Sequence, residues 1–537
     1  MMKNYFKFLA LLLFIGCESD KTTSSVEVDP TTIAKHIERL ASDEFLGRKP
    51  FTEGEVKTVN YLKEEFEKLG LLPGNGDSFF QDVPMVEITG MPSEKMVIRG
   101  KSGSFDLSYL KDFVATTNKV ETEVSLNNSE LVFAGYGVVA PEYGWNDYEG
   151  MDWTGKTAVV LINDPGFQSG DSTLFKGDEM TYYGRWTYKY EEAARQGAAG
   201  LIIIHDTAPA AYGWNVIESG WTGARLIIES DLPQLNVESW ISGESAKKMF
   251  DASAMKGQDY KTLSRNKDFK PIPLDLNVSV SVNNEIKKDV SKNVAALIPG
   301  TDRKDEYIIY SAHWDHFGVG KAIDGDSIYN GAVDNASGTA GLLAIAEAFK
   351  KSNATKRSIL FLAVTGEEQG LLGSAYYAEN PIYNPKQTVA NINIDALDSP
   401  GKMKDLTITG YGQSEMDEYA REAALQQGRY IIPDPEAEKG YFFRSDHFNF
   451  AKIGIPALYA SGAYEGFDHS IEEIKAHNDY YRINKYHQPS DEYDAKTTVL
   501  SGVQLDLQLH FNVGLKLANE EYFPKWYEGS EFKAARE

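Results

Sequence analysis

The sequence holds one cysteine, Cys17, among 537 residues. No disulfide can form within the chain, and no thiolate cluster can hold a metal. Basic residues are outnumbered: 54 Lys and Arg stand against 79 Asp and Glu, a formal net charge of −25 at pH 7. No stripe of Lys and Arg runs along any segment, which argues against nucleic acid as a partner. A well-solvated surface accounts for the acidic excess. Long apolar runs are missing too, since Phe8-Leu-Ala-Leu-Leu-Leu-Phe-Ile near the amino end is too short to span a bilayer as a helix. Apolar material itself is ample, at 42% hydrophobic and 12% aromatic residues, so global disorder is not expected. A chain of this length is expected to hold several domains, or one large domain with an insertion.

Lys3, Lys7, the apolar run and Gly16-Cys17 follow the order of a secretory signal peptide. A small residue directly before a cysteine resembles the lipobox of bacterial lipoproteins, where the cysteine becomes the lipidated first residue. Phe14 stands where that pattern most often has Leu. An ordinary signal peptide with a chance cysteine is the alternative. The resemblance implies an exported, periplasmic or cell-surface protein held to a membrane only by a lipid at Cys17. Residues 1–17 are then the signal peptide and the polar residues 18–28 a tether.

Residues 29–71 predict two helices, with Ile33, Ile37 and Leu40, then Val59, Leu62, Phe66 and Leu69 at helical spacing, and Gly70 as the C-cap. Residues 80–118 predict several strands. A second compositional unit, 129–246, reads strand, strand, helix near 188–196, strand, which is a small α/β module. Its aromatic cluster (Tyr182, Tyr183, Trp186, Tyr188, Tyr190, Tyr212, Trp214 and Trp221) reads mostly as core, with the 182–186 loop the better candidate for a binding surface. His205, ending a buried strand there, reads as structural. Segments 29–128 and 247–537 are expected to form one main domain around this insertion. The predicted fold is α/β: a mixed, mostly parallel sheet sandwiched by helices, with an inserted smaller α/β domain.

The chemistry gathers in residues 307–395. The apolar runs YIIYSA, SILFLAV and VANINI read as buried strands. After them come His313-Trp-Asp315-His316, Gly-Glu367-Glu368 and Asn393-Ile-Asp395, with Gly-Ala-Val-Asp334-Asn335-Ala-Ser-Gly between the first two. Ligands in such sheets gather beyond the carboxyl ends of the strands. Zinc takes imidazole nitrogen and carboxylate oxygen. In a His-x-Asp motif the Asp can hydrogen-bond the imidazole nitrogen that the metal does not use, so His313 would bind and Asp315 would orient it. Asp334 lies in a turn of small residues just before an apolar helix at 339–349. The neighbouring Glu367 and Glu368 are expected to point apart, one to metal and one free as a general base. His487, in Tyr486-His487-Gln-Pro-Ser-Asp491 before a helix expected at about 495–517, completes a set of two His and three acidic ligands. Such a set suffices for two bridged metals.

This order of motifs resembles the co-catalytic dizinc aminopeptidase family, which also includes glutamate carboxypeptidase and the transferrin receptor. The phrase Leu40-Ala-Ser-Asp-Glu-Phe-Leu-Gly47-Arg48 is similar to that family's opening, and the inserted module resembles its protease-associated domain. The resemblance implies a zinc-exopeptidase fold of the phosphorylase/hydrolase type and two zinc ions per chain. One ion would be held by His313 and Asp395, the other by Glu368 and His487, with Asp334 bridging. It further implies Glu367 as general base acting on a shared hydroxide, Tyr486 as oxyanion donor and Asp315 as the residue behind His313. The loop 318–330, longer than in many relatives, is expected to border the site.

Arg444 and His447, in Tyr441-Phe-Phe-Arg444-Ser445-Asp446-His447, are candidates for substrate contact, with an internal Arg444–Asp446 ion pair as the alternative. His316 is expected as a wall residue, His36 as a surface or packing residue, and His469 and His477 as surface residues. The function implied is peptide hydrolysis, first as an aminopeptidase. Carboxypeptidase-type cleavage, glutaminyl cyclisation and a non-catalytic binding protein are the alternatives.

Overall fold

The structure is a computed structural model that describes residues 26–101 and 103–537. The signal peptide, the Cys17 anchor and residues 18–25 of the expected tether lie outside the described residues. Among the described residues no helix is long and apolar enough to cross a membrane.

Helices α1 (Pro30–Leu40) and α2 (Glu53–Lys68) open the described chain. Asp29 caps α1 by accepting from the Thr31 N–H at 2.8 Å, and Pro30 sits first, where a missing N–H costs nothing. Gly70 stops α2 as expected, at φ +73°. Its N–H reaches the Glu67 carbonyl at 2.9 Å, and the Leu71 N–H reaches Phe66 at 3.1 Å. That hydrogen-bond pair needs a left-handed residue, hence glycine.

The second body contains β1 (Phe80–Pro92), β2 (Glu123–Phe133), β3 (Thr157–Leu161), α3 (Trp186–Arg195), β4 (Gly200–Ile204), β5 (Val237–Ile241) and α4 (Gly243–Ala252). Strands β2, β3, β4 and β5 lie side by side, all parallel. Alternate residues serve opposite faces, as a period of two requires. Val159, Leu161, Ile202 and Ile204 enter one core, and Ala158, Val160, Leu201 and Ile203 another. The first of these cores gathers residues from Met96 to Val282, so the segment 129–246 packs together with strands on both sides of it.

One strand of 27 residues, β6 (Ile272–Ile298), joins the two bodies. It pairs antiparallel with β2 and then β1. Its last five residues enter the main sheet beside β8 (Arg357–Val364). There β7 (Arg303–His313) runs parallel to β8 and to β9 (Thr388–Asn393). Strand β9 in turn runs parallel to β10 (Ala457–Ser461). Every residue of β8 and β9 is buried, as expected of strands covered on both faces. Ile308, Tyr310 and Ala312 pack with α5 (Gly338–Lys351) and α7 (Ser501–Asn519), while Ile309, Leu360 and Leu362 pack with Tyr377 and Phe450. Between β10 and α7 lies α6 (Ile471–Asn484). Helix α7 begins later than residue 495, because the N–H groups of Thr497 and Thr498 close a turn on the Asp494 carbonyl.

Two expectations about aromatic and polar loops change. Tyr182 is not an open binding surface: its ring packs 5.2 Å from Phe448 of the main body, with Phe443 and Phe532 nearby. His477 is half-buried rather than a surface residue, and its Nε2 lies 2.7 Å from Asp398.

Candidate metal centre

His313 is the last residue of β7, Glu367 and Glu368 follow β8 within four residues, and Asp395 follows β9 by two. Because the three strands are parallel, their polar ends arrive at one edge. His313 Nε2 lies 3.2 Å from Asp334 Oδ1, 3.2 Å from Asp395 Oδ1 and 3.9 Å from Glu367 Oε2. The second Asp334 oxygen lies 3.3 Å from His487 Nε2, which is also 3.3 Å from Glu368 Oε2. Asp334 therefore stands between two half-sites, each with one imidazole and one further carboxylate.

Several expected roles take a different form. The His313 Nδ1–H donates to the Asp315 backbone carbonyl at 3.1 Å, while the Asp315 carboxylate is 3.8 Å away. That carboxylate instead accepts the Glu367 N–H at 3.1 Å, so Asp315 orients the glutamate turn as well as the imidazole. Glu367 and Glu368 do not diverge into separate spaces. Each offers an oxygen within one 4.8 Å group with His313, because the chain turns at Gly366 (φ +64°) rather than running extended. His316 is not a mere wall: it is fully buried, and its Nδ1 lies 2.6 Å from Glu368 Oε1. It forms a further potential metal-holding group with Asp334 and Glu368.

Tyr486 is half-exposed and stacks on the His487 ring at 3.7 Å. Burial, with Asp334 and Glu368 beside it, pushes its phenol well above the ordinary range, so it remains a donor. Arg444 is exposed, donates to the Lys439 carbonyl at 2.9 Å and lies over Tyr441. It makes no ion pair with Asp446, whose oxygen accepts from Ser374 at 2.5 Å. His447 is fully buried between Phe442 and Tyr459, at 4.6 and 5.0 Å, with neither ring nitrogen hydrogen-bonded. Neither residue is presented to the metal centre. The 318–330 loop forms a hairpin, and Phe317 at its base packs 4.6 Å from the His487 ring.

The centre rests on residues whose part the sequence did not disclose. Arg48, buried, donates to the carbonyls of Trp314, Leu40, Asn330 and Gly331 at 2.6–2.9 Å, tying the His313 strand exit to the Asp334 loop. Asp491 accepts the Val333 and Asp334 N–H groups at 3.1–3.2 Å. Asn335 donates to the Ile394 carbonyl at 3.0 Å and accepts from Ala396 N–H at 3.1 Å. Ser445 donates to the second oxygen of Asp395 at 2.5 Å and accepts from Asn393 at 2.7 Å. The dense run around Ser445, the Asp-Asn-Ala-Ser-Gly motif and the motifs ending in Arg48 and Asp491 marked these residues without showing these contacts.

Burial pushes Glu367 well above its usual range, against His313 and with the help of Asp395 and Asp446. Burial raises Glu368 too, with Asp334 and Glu367 adding to it. Asp334 is held low despite burial by its hydrogen bonds with His313 and His487. Among the described residues no Lys or Arg forms an ion pair with Asp315, Asp334, Glu367, Glu368 or Asp395. Clustered buried carboxylates without cations are costly. A divalent metal relieves that cost, and an imidazole and carboxylate donor set suits zinc.

The sheet and its edge thus define an α/β protein with a cluster of His and carboxylate side chains suited to holding metal. Residues 293–505 match the model of peptidase family M28. Aminopeptidase NAALADL1 of Mus musculus is 36% identical over 129 residues, 23% of this chain and 16% of that protein. A probable zinc metalloprotease of Pyrenophora tritici-repentis is 27% identical over 218 residues, 35% of this chain and 45% of that protein. The chain thus spans half or less of the length of these relatives. Among solved structures, an aminopeptidase from Aneurinibacillus sp. strain AM-1 aligns over 93% of this chain and 96% of its own, at 18% identity and TM-score 0.46. A glutaminyl cyclase of Bacteroides thetaiotaomicron aligns over 43% of this chain and 80% of its own, at 16% identity and TM-score 0.32.

Proposed function

We propose that this protein is an exported zinc-dependent exopeptidase, an aminopeptidase that removes N-terminal residues from peptides. The observation that carries this reading is Asp334, 3.2 Å from His313 on one side and 3.3 Å from His487 on the other. In the proposal His313, Asp395, Glu368, His487 and Asp334 would hold the zinc. Zinc bound there supplies Lewis acidity, which polarises a scissile carbonyl and acidifies water. Glu367 takes the proton of the attacking water and returns it to the leaving amine. The Tyr486 hydroxyl donates to the developing oxyanion. Asp315 and His316 hold the glutamate turn and the Glu368 carboxylate in place. The resemblance of residues 14–17 to a lipobox supports export with a lipid at Cys17, and the module around 129–246 is read as a protease-associated domain.

Glu367→Gln tests the base. The variant should keep its zinc while kcat falls about 10²–10⁴-fold, the usual worth of a positioned base. Unchanged turnover with zinc retained would remove Glu367 from that role.

A further inference from the structure

The second body holds a cavity that the proposed chemistry does not use. It measures about 440 Å³, within the range of small-molecule sites. It lies at the carboxyl ends of β3 and β4, lined by Leu161 and Ile204 from those strands. Parallel strands leave their ligand crevice at that end. Rings of Tyr136, Phe167 and Tyr260 add apolar wall. None of the lining residues belongs to the metal centre.

The charges around this cavity do not cancel. Its charged lining residues are Asp206, Lys261 and Arg265. Asp206 and Lys261 pair with each other at 2.5 Å, both partly exposed. His205 is neutral: burial lowers its pKa, and its Nε2–H donates to the Tyr212 carbonyl at 3.0 Å. Arg265 is left. One of its terminal nitrogens donates to the Phe167 carbonyl at 3.0 Å, and its Nε is buried with no hydrogen-bond partner. Among the described residues no carboxylate lies within ion-pair distance of it. A protein of net charge −25 therefore keeps a guanidinium with no ion-pair partner, beside the Tyr136 hydroxyl and in the field of Asp259, in a cavity of mixed polar and apolar wall. A guanidinium matches a carboxylate with two parallel hydrogen bonds.

We propose that this cavity is a binding site for a carboxylate carried on a small apolar body, with Arg265 as its counter-ion. A free carboxylic acid and the C-terminal residue of a peptide share that chemistry. The site stands apart from the exopeptidase reading and does not depend on it.

Calorimetric titration of the metal-loaded protein tests it, with N-acetyl-leucine, N-acetyl-leucine amide, N-acetyl-Ala-Ala-Leu and inorganic phosphate as probes. The two acids should bind and the amide should not. Arg265→Met should weaken the acids at least tenfold. Ala208→Trp, which fills the exposed rim and leaves Arg265 untouched, should do the same and serves if Arg265→Met does not fold. Tighter binding of the tripeptide than of N-acetyl-leucine identifies a peptide C-terminus, and equal binding a free acid; both support the site. Equal binding of acid and amide, binding of phosphate alone, or acid binding unchanged in both folded variants would overturn it. The last result would move the carboxylate elsewhere, the metal centre included.

Discussion

Two buried histidines outside the metal centre are expected to set part of the protein's response to acid. His36 has its Nδ1 2.6 Å from the Tyr61 hydroxyl, and burial pushes its pKa down to about 4. His510, fully buried with Nε2 3.0 Å from the Ala460 carbonyl, is likewise lowered to about 4. Unfolded, each takes a proton near pH 6.5. Between pH 6.5 and about 4 the unfolded chain therefore binds more protons, and stability falls as pH falls. Each histidine should cost about 2 kcal/mol by pH 5. Urea midpoints of His36→Gln at pH 7 and pH 5 should differ by less than in the wild type; an identical difference would contradict this assignment. At the metal centre, Ser445→Ala removes the donor that fixes Asp395 and should weaken zinc binding about 10–100-fold with the fold intact. Zinc affinity unchanged by direct titration would deny Ser445 that role. The proposed ligands His313, Glu368 and Asp395 could be picked out because each follows an apolar run, and Asp334 and His487 because of the motifs around them. The contacts of Arg48, Ser445 and Asp491 could not, because each acts through partners far along the chain and leaves no local period to read.

At the scale of elements, strands β7, β8 and β9 follow the apolar runs closely, since a buried parallel strand is written as an unbroken run of such residues. The start of α7 was misread because the apolar pattern does not show that Asp491 and Asp494 are engaged in turns. The amino end of α5 is the most constrained junction. Thr339 donates to the His313 carbonyl at 2.8 Å, and Gly338 donates its N–H to Asn335 at 2.9 Å. A Cβ at Gly338 would meet Asn335 Oδ1 at 2.3 Å and the Ile394 carbonyl at 2.4 Å. Gly338→Ala should therefore destabilise by about 1–3 kcal/mol. It should also lower kcat/KM, because it pushes the Asp334 loop off the Asp395 strand. A variant with wild-type zinc affinity and kcat/KM would show that the contact can relax without moving the ligands.

Over the whole molecule, β6 couples two bodies, and an aromatic contact seals them. Met180 and Tyr182 of the second body pack with Phe442, Phe443, Phe448, Trp526 and Phe532 of the main one. That contact adjoins Ser445, so the second body supports the segment that holds Asp395. The strands flanking the second body pair with β6 rather than within 129–246, a pairing that composition does not show. The central claim is that two zinc ions act together on a peptide with a free amino end. The most direct test is one measurement on the metal-loaded protein: zinc per chain, with cleavage of free, N-acetylated and C-amidated forms of one peptide, with and without a chelator. Two zinc ions and chelator-sensitive cleavage that requires the free N-terminus are predicted. Cleavage indifferent to N-acetylation but blocked by C-amidation, or two zinc ions with no hydrolysis of any form, would contradict it.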